Sequence, residues 1–69
     1  MPLPLTKKEE DVLVYIYGYM TDHEYSPTRE EISDHFNFTP QNASYYVNQL
    51  VNKGKIKISK GKIRNIVII

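Results

Sequence analysis

The first apolar stripe of the chain recurs at intervals of three and four residues, which is the spacing of one face of an α-helix. It comprises Leu13, Ile16, Tyr17 and Met20, with Val12 flanking them. Thr6 and Glu9 have the spacing of a capping box, in which each side chain bonds the backbone N–H of the other residue. The pattern predicts a helix from about Lys7 to His23, with Tyr15 and Tyr19 on its outer side.

A second, shorter helix is predicted after the connector Tyr25-Ser26-Pro27, because the residue before a proline is driven out of helical geometry. Thr28 and Glu31 repeat the capping-box spacing at its start. Ile32 and Phe36 then lie four residues apart on one face. The second helix is therefore expected from about Arg29 to Phe36.

The third helix is predicted to follow after a very short turn. Asn37 suits that turn because asparagine tolerates left-handed backbone. Thr39-Pro40 has the form of an N-cap followed by proline at the first helical position, and Gly54 is suited to a left-handed C-terminal cap. We expect a helix from Pro40 to about Lys53. Its inward side is formed by Ala43, Val47 and Leu50, with Tyr46 beside them.

The last part of the chain changes to a period of two, which is typical of strands. Residues 55–58 alternate Lys and Ile, Lys60-Gly61-Lys62 predicts a turn, and residues 63–69 predict a returning strand. Two helices joined by a short turn and followed by a hairpin predict a mainly α fold, the winged helix-turn-helix, as one domain over residues 1–69. Residues 66–69 are apolar on both faces of their strand, which predicts either an association surface or burial beneath the first helix.

Composition excludes several classes of site. The 69 residues contain no cysteine and only two histidines, so disulfides and thiolate zinc sites are excluded. His23 between Asp22 and Glu24 resembles a metal cluster, but adjacent helical residues point in different directions, so a surface histidine is expected. No catalytic grouping, cofactor motif, membrane span or signal peptide is recognisable, and we expect a non-enzymatic cytoplasmic protein.

The charge is divided unequally along the chain. Residues 1–35 hold three basic and eight acidic residues, and residues 36–69 hold six basic residues and no acidic one. A basic half facing a polyanion and an acidic half facing away is expected of a DNA-binding module. The alternative is a solvated lysine-rich hairpin whose charges protect an edge strand from aggregation.

The third helix is the expected recognition helix, because the second helix of such a pair enters the major groove. Its outer face is uncharged and rich in amides, which suit the N6 and N7 edge of adenine. The outward residues are Gln41, Asn42, Ser44 and Tyr45, then Asn48, Gln49 and Asn52. Because no arginine precedes Lys53 in this helix, we expect a preference for A·T-containing half-sites.

Contacts to phosphate are expected from the helix starts and the hairpin. The candidates are Thr28, Arg29, Lys53, Lys60, Lys62 and Arg64, and Thr39 with the free N–H groups of the third helix. Lys60, Lys62 and Arg64 are expected at or near the hairpin tip, where phosphates or the minor groove are within reach.

The chain resembles the N-terminal DNA-binding domain of the LexA repressor family. The resemblance covers nearly the whole chain and is most specific at the stretch SPTREEI, residues 26–32. It implies a transcriptional regulator of bacterial or phage origin whose base-reading positions are Thr39, Gln41, Asn42, Ser44 and Tyr45. The family typically carries acidic residues at the last two positions, so a target other than the usual SOS operator is expected.

The resemblance also bears on assembly. This sequence ends at Ile69, before the peptidase domain that mainly dimerises the family, so self-cleavage is not expected. A lone winged helix reads only a few base pairs, which favours a homodimer or a partner protein. The competing interpretation is a winged helix that binds protein, as in a small phage or plasmid regulator. RNA binding is less favoured because no sheet of exposed stacking aromatics is predicted.

Overall fold

The computed structural model of the chain describes residues 4–61 and 64–69. Three helices are followed by one antiparallel hairpin, in the predicted order. The elements are α1 (Lys7–His23), α2 (Arg29–Phe36), α3 (Pro40–Asn52), β1 (Ile56–Ile58) and β2 (Ile66–Ile68). The predicted helix bounds are confirmed, and Lys53, the expected last residue of the third helix, is its C-cap. The fold class, mainly α with a small hairpin, is confirmed as well.

Both predicted capping boxes are present. The Thr6 hydroxyl accepts from the Glu9 N–H at 3.2 Å while the Glu9 carboxylate accepts from the Thr6 N–H at 2.9 Å. The corresponding distances for Thr28 and Glu31 are 3.1 and 2.8 Å. Each box satisfies two backbone donors that a helix start would otherwise leave unpaired, which explains why α1 and α2 begin where they do.

Three residues connect α2 to α3. Asn37 adopts the expected left-handed backbone, with φ 58° and ψ 38°, and Thr39 caps α3 by accepting from the Asn42 N–H at 3.2 Å. Gly54 is left-handed after α3, with φ 73°, as predicted. The short turn fixes the angle at which α3 leaves α2.

Every element contributes to one apolar core. Its fully buried residues are Val12, Ile16, Ile32, Ala43, Val47, Leu50, Ile56 and Ile66. The predicted inward face of α3 is therefore confirmed, and Phe36 and Tyr46 pack against the core from its edge. Burying this stripe leaves the opposite side of α3 outside the core.

The predicted orientation of α1 was wrong by part of a turn. Tyr17, expected inside, is 63% exposed, whereas Tyr15, expected outside, packs against the core and stacks on His35 with ring centroids 4.1 Å apart. Tyr19 is half-buried rather than external. Because α2 packs on the Tyr15 side of α1, the buried line runs along Glu9, Val12 and Ile16.

The hairpin pairs Ile56 with Ile68 and Ile58 with Ile66, which turns one face of both strands toward the core. Within residues 66–69, Ile66 is buried, Val67 and Ile68 are half-buried, and Ile69 is 72% exposed. The predicted tip residue Lys62 lies outside the described residues. In the parts of the chain that the structure describes, no helix has the length and apolarity needed to cross a membrane.

Candidate nucleic-acid interface

The residues proposed from the sequence to read bases lie together on the side of α3 that faces away from the core. Thr39, Gln41, Asn42, Tyr45 and Asn48 are exposed. Ser44 is half-buried. The face presents amide, hydroxyl and phenol groups and carries no charge, so it offers hydrogen bonds in several directions without attracting or repelling an ion.

Tyr45 is held in place by its neighbours. Its hydroxyl accepts a 3.0 Å hydrogen bond from the side-chain amide of Gln49, one turn further along α3. Its ring and that of Tyr46 form a T-shaped pair with centroids 5.2 Å apart, and Tyr46 stacks on Phe38. A large aromatic side chain on the exposed face therefore has a defined position, although 52% of it is accessible.

The start of α3 differs electrostatically from the other helix starts. The first turn of α1 contains Glu9 and Glu10, and that of α2 contains Glu30 and Glu31, whereas the first turn of α3 has no acidic residue. Carboxylates near a helix start offset the positive end of the helix dipole. The N-terminus of α3 keeps that positive end available to an external anion such as a phosphate.

The basic residues expected to contact phosphate fall into two groups. Lys60 is exposed at the hairpin turn, and Arg29 is half-buried at the first position of α2. Thr28 is half-buried and uses its hydroxyl oxygen to cap α2. Lys53 and Arg64 form the second group, because each is bound to a carboxylate of the same chain.

Lys53 forms an ion pair with Glu9, and their side chains are only 13% and 3% exposed. Its ammonium group also donates to the Pro4 carbonyl at 3.2 Å. The hydrogen bond from Lys53 is the main cause that lowers the pKa of Glu9 below its usual value. The pair ties the end of α3 to the start of α1, so the charge of Lys53 is balanced inside the molecule.

Arg64 forms a two-pronged ion pair with Glu31, with N···O distances of 2.7 and 3.1 Å. Hydrogen bonds from Arg64 and from the Thr28 backbone lower the pKa of Glu31 to about 2, and the carboxylate in turn raises the pKa of Arg64. The guanidinium also lies 4.5 Å from the centre of the Tyr25 ring. The negative charge of Glu31 therefore offsets the positive charge of Arg64.

Sequence reasoning missed both ion pairs, which join residues 44 and 33 positions apart. A signal was nevertheless present. Glu9 and Glu31 are the glutamates of the two capping boxes, so their backbone positions were predictable. A carboxylate fixed at a helix start is a suitable partner for a cation from the basic C-terminal half.

The arrangement of α2, the three-residue turn, α3 and the hairpin defines a winged helix-turn-helix, a class in which the second helix of the pair commonly reads DNA. The profile of the LexA DNA-binding domain matches residues 3–65. The chain belongs to the LexA DNA-binding domain family.

Relatives of the chain carry the name LexA repressor. The protein from Desulfatibacillum aliphaticivorans is 38% identical over 66 residues, which is 94% of this chain and 32% of that protein. The protein from Thermosipho melanesiensis is 35% identical, covering 94% of this chain and 33% of the relative. One from Leptospira biflexa is 37% identical over 90% of this chain and 31% of the relative. The chain spans about a third of the length of these curated relatives.

Proposed function

We propose that this chain binds double-stranded DNA sequence-specifically as the DNA-binding part of a transcriptional repressor. The observation that carries the proposal is the exposed, uncharged, amide-bearing face of α3 on a winged helix-turn-helix. Membership of the LexA DNA-binding domain family supports DNA as the partner, and the name of the relatives supports repression.

In the proposed complex, α3 lies in the major groove with its N-terminal half toward the base edges. The base-reading residues are Thr39, Gln41, Asn42, Ser44, Tyr45 and Asn48. Amide side chains bond adenine through two atoms, and guanine is most often read by arginine, which this face lacks. The expected half-site therefore contains A·T pairs where α3 meets the groove.

Phosphate contacts come from both sides of the groove. The acid-free start of α3 and Thr39 bind one phosphate, and Thr28 with Arg29 binds another at the start of α2. Lys60 and Lys62 supply the wing. Lys53 and Arg64 contribute less free charge because Glu9 and Glu31 neutralise them.

Two copies on a two-fold site, or one copy beside a partner protein, supply the specificity that a single winged helix lacks. A spacing of about 10 base pairs between half-site centres, one helical turn, is expected for a pair of copies.

Selection of bound duplexes from a random pool tests the proposal. A recovered site with A·T pairs in the contacted positions is expected, and its affinity should fall with log salt at a slope of about −3 to −4 if about four phosphates are neutralised. Binding that is absent, or insensitive to salt, would refute DNA binding and favour the protein-binding alternative.

Matched variants of α3 test which end of the helix contacts the bases. Asn42→Ala lies in the first turn and should weaken binding to the selected site by about 1–3 kcal/mol while leaving binding to random duplex almost unchanged. Asn52→Ala makes the same substitution at the far end of α3 and should leave both affinities unchanged. Equal losses from the two variants would contradict the proposed orientation of α3.

A further inference from the structure

Arg64 lies in the loop between β1 and β2, next to the Ser59–Asn65 backbone bond, and its guanidinium bonds the helical part of the chain. In addition to the two bonds to Glu31, its Nη1 donates to the Ser26 carbonyl at 2.9 Å and to the Tyr19 hydroxyl at 3.2 Å. Tyr19 in turn donates to Glu31 at 3.0 Å. One side chain of the hairpin thus bonds the end of α1, the α1–α2 connection and the start of α2.

A second bond joins β2 to the same connection. The Ile66 N–H donates to the Ser26 hydroxyl at 3.2 Å, and Ser26 is buried. Residues 64–66 are therefore attached to Ser26 through both its carbonyl and its hydroxyl. Since β1 and β2 have only three residues each, and an isolated two-stranded hairpin is marginal in water, this attachment should act with the buried Ile56 and Ile66 to fix the position of the hairpin against the helices.

The charge balance of the site argues against a direct role in phosphate binding. A phosphate that approached Arg64 would have to displace the Glu31 carboxylate or come close to it. That carboxylate is itself fixed by the Thr28 N–H at 2.8 Å. Bidentate binding of a carboxylate by arginine is strong and directional, so displacement is unfavourable.

We infer that Arg64 is a positioning residue of the wing: through Glu31 and Ser26 it holds β2 against the α1–α2 connection, and it does not itself bind DNA phosphate. The inference rests on the proposed function, because the wing position matters only if the hairpin contacts a duplex. The two interpretations of Arg64 predict opposite effects when the charge of Glu31 is removed.

Glu31→Gln is the informative change, because glutamine at the third helical position preserves the capping box while losing the charged bond to Arg64. The matched control is Glu30→Gln, which removes the same charge from an exposed neighbour. Glu30→Gln should leave duplex affinity unchanged or raise it by up to about threefold. Glu31→Gln should lower it by about fivefold or more, because wing contacts to phosphate are lost. Tighter binding by Glu31→Gln than by Glu30→Gln would overturn the inference.

Arg64→Lys provides a second test that keeps the charge. A lysine still binds phosphate as a point charge but cannot reproduce the fork to Glu31. We expect a loss similar to that of Glu31→Gln, and a double variant no weaker than either single one, since both break the same attachment. Affinity equal to that of the unsubstituted chain in Arg64→Lys would refute the positioning role.

Hydrogen exchange of the Ile66 amide separates this inference from the proposed function, since it is measured without DNA. Its protection should fall at least about fivefold in Glu31→Gln and stay unchanged in Glu30→Gln, with folding of each variant verified by circular dichroism. Unchanged Ile66 protection in Glu31→Gln would refute the attachment. An unsubstituted chain that fails to bind duplex would instead refute the proposed function.

Discussion

Thr39 both caps α3 and is proposed to contact DNA, and substitution by aspartate separates the capping from the DNA contact. Its hydroxyl caps α3, and it lies beside the proposed phosphate site. Thr39→Ala removes an N-cap that is typically worth about 1 kcal/mol, within a range of about 0.5–2. The free energy of unfolding of a 69-residue chain is about 3–10 kcal/mol in total, so the loss of the cap should lower Tm by about 4–8 °C.

Thr39→Asp should have the opposite profile. Aspartate caps a helix at least as well as threonine and is favoured at the positive end of the dipole, so the free energy of unfolding should stay within about 0.5 kcal/mol. Its charge repels a phosphate, so duplex affinity should fall about tenfold at low salt and less at high salt.

Urea unfolding followed by circular dichroism measures the first quantity, and fluorescence anisotropy with a labelled duplex at two salt concentrations measures the second. Thr39→Ser, which keeps the hydroxyl, serves as the control for both. A Thr39→Asp chain as unstable as Thr39→Ala would refute the capping role. One that binds duplex as tightly as the unsubstituted chain would refute the phosphate site at α3.

Three further predictions concern the core and the ion pairs. Ile32→Ala, at a fully buried site, should cost about 2–5 kcal/mol in urea unfolding, whereas Val14→Ala at an exposed site of α1 should change stability by less than about 0.5. Because the pKa of Glu31 is lowered from 4.5 to about 2, its stabilising contribution is complete above pH 4.5 and is lost as pH falls toward 2. Acid titration of Tm should therefore be flatter in Glu31→Gln than in the unsubstituted chain. Lys53→Ala should lower Tm because it breaks a buried ion pair. Lys60→Ala should leave Tm unchanged and reduce the salt slope of DNA binding by about 1. Equal Tm values for the two variants would contradict the structural role of Lys53.

The elements could be predicted from the sequence because each helix start carries its own cap. Thr6, Thr28 and Thr39 mark the three starts, and Asn37 and Gly54 mark ends that need left-handed backbone. These signals act within four residues, so they are legible without the tertiary structure. The exposed face of α3 followed from the same local periodicity.

The orientation of α1 and the ion pairs could not be read locally. Whether Tyr15 or Tyr17 is buried depends on the side from which α2 approaches, and both residues suit a helix equally well. The pairing of Arg64 with Glu31 depends on the path of the hairpin. Lys53 and Arg64 were predicted to bind phosphate, but the fold brings each of them next to a capping glutamate that balances its charge.

The two capping glutamates also have a consequence for cooperativity. Glu9 and Glu31 each join a helix start to a cation in the C-terminal half of the chain, so a helix start cannot fray without releasing a distant part of the chain. Local and long-range order are thereby lost together. Stepwise unfolding from either end is therefore unfavourable. So small a molecule should unfold in one cooperative transition, with its helical and hairpin signals disappearing at the same temperature.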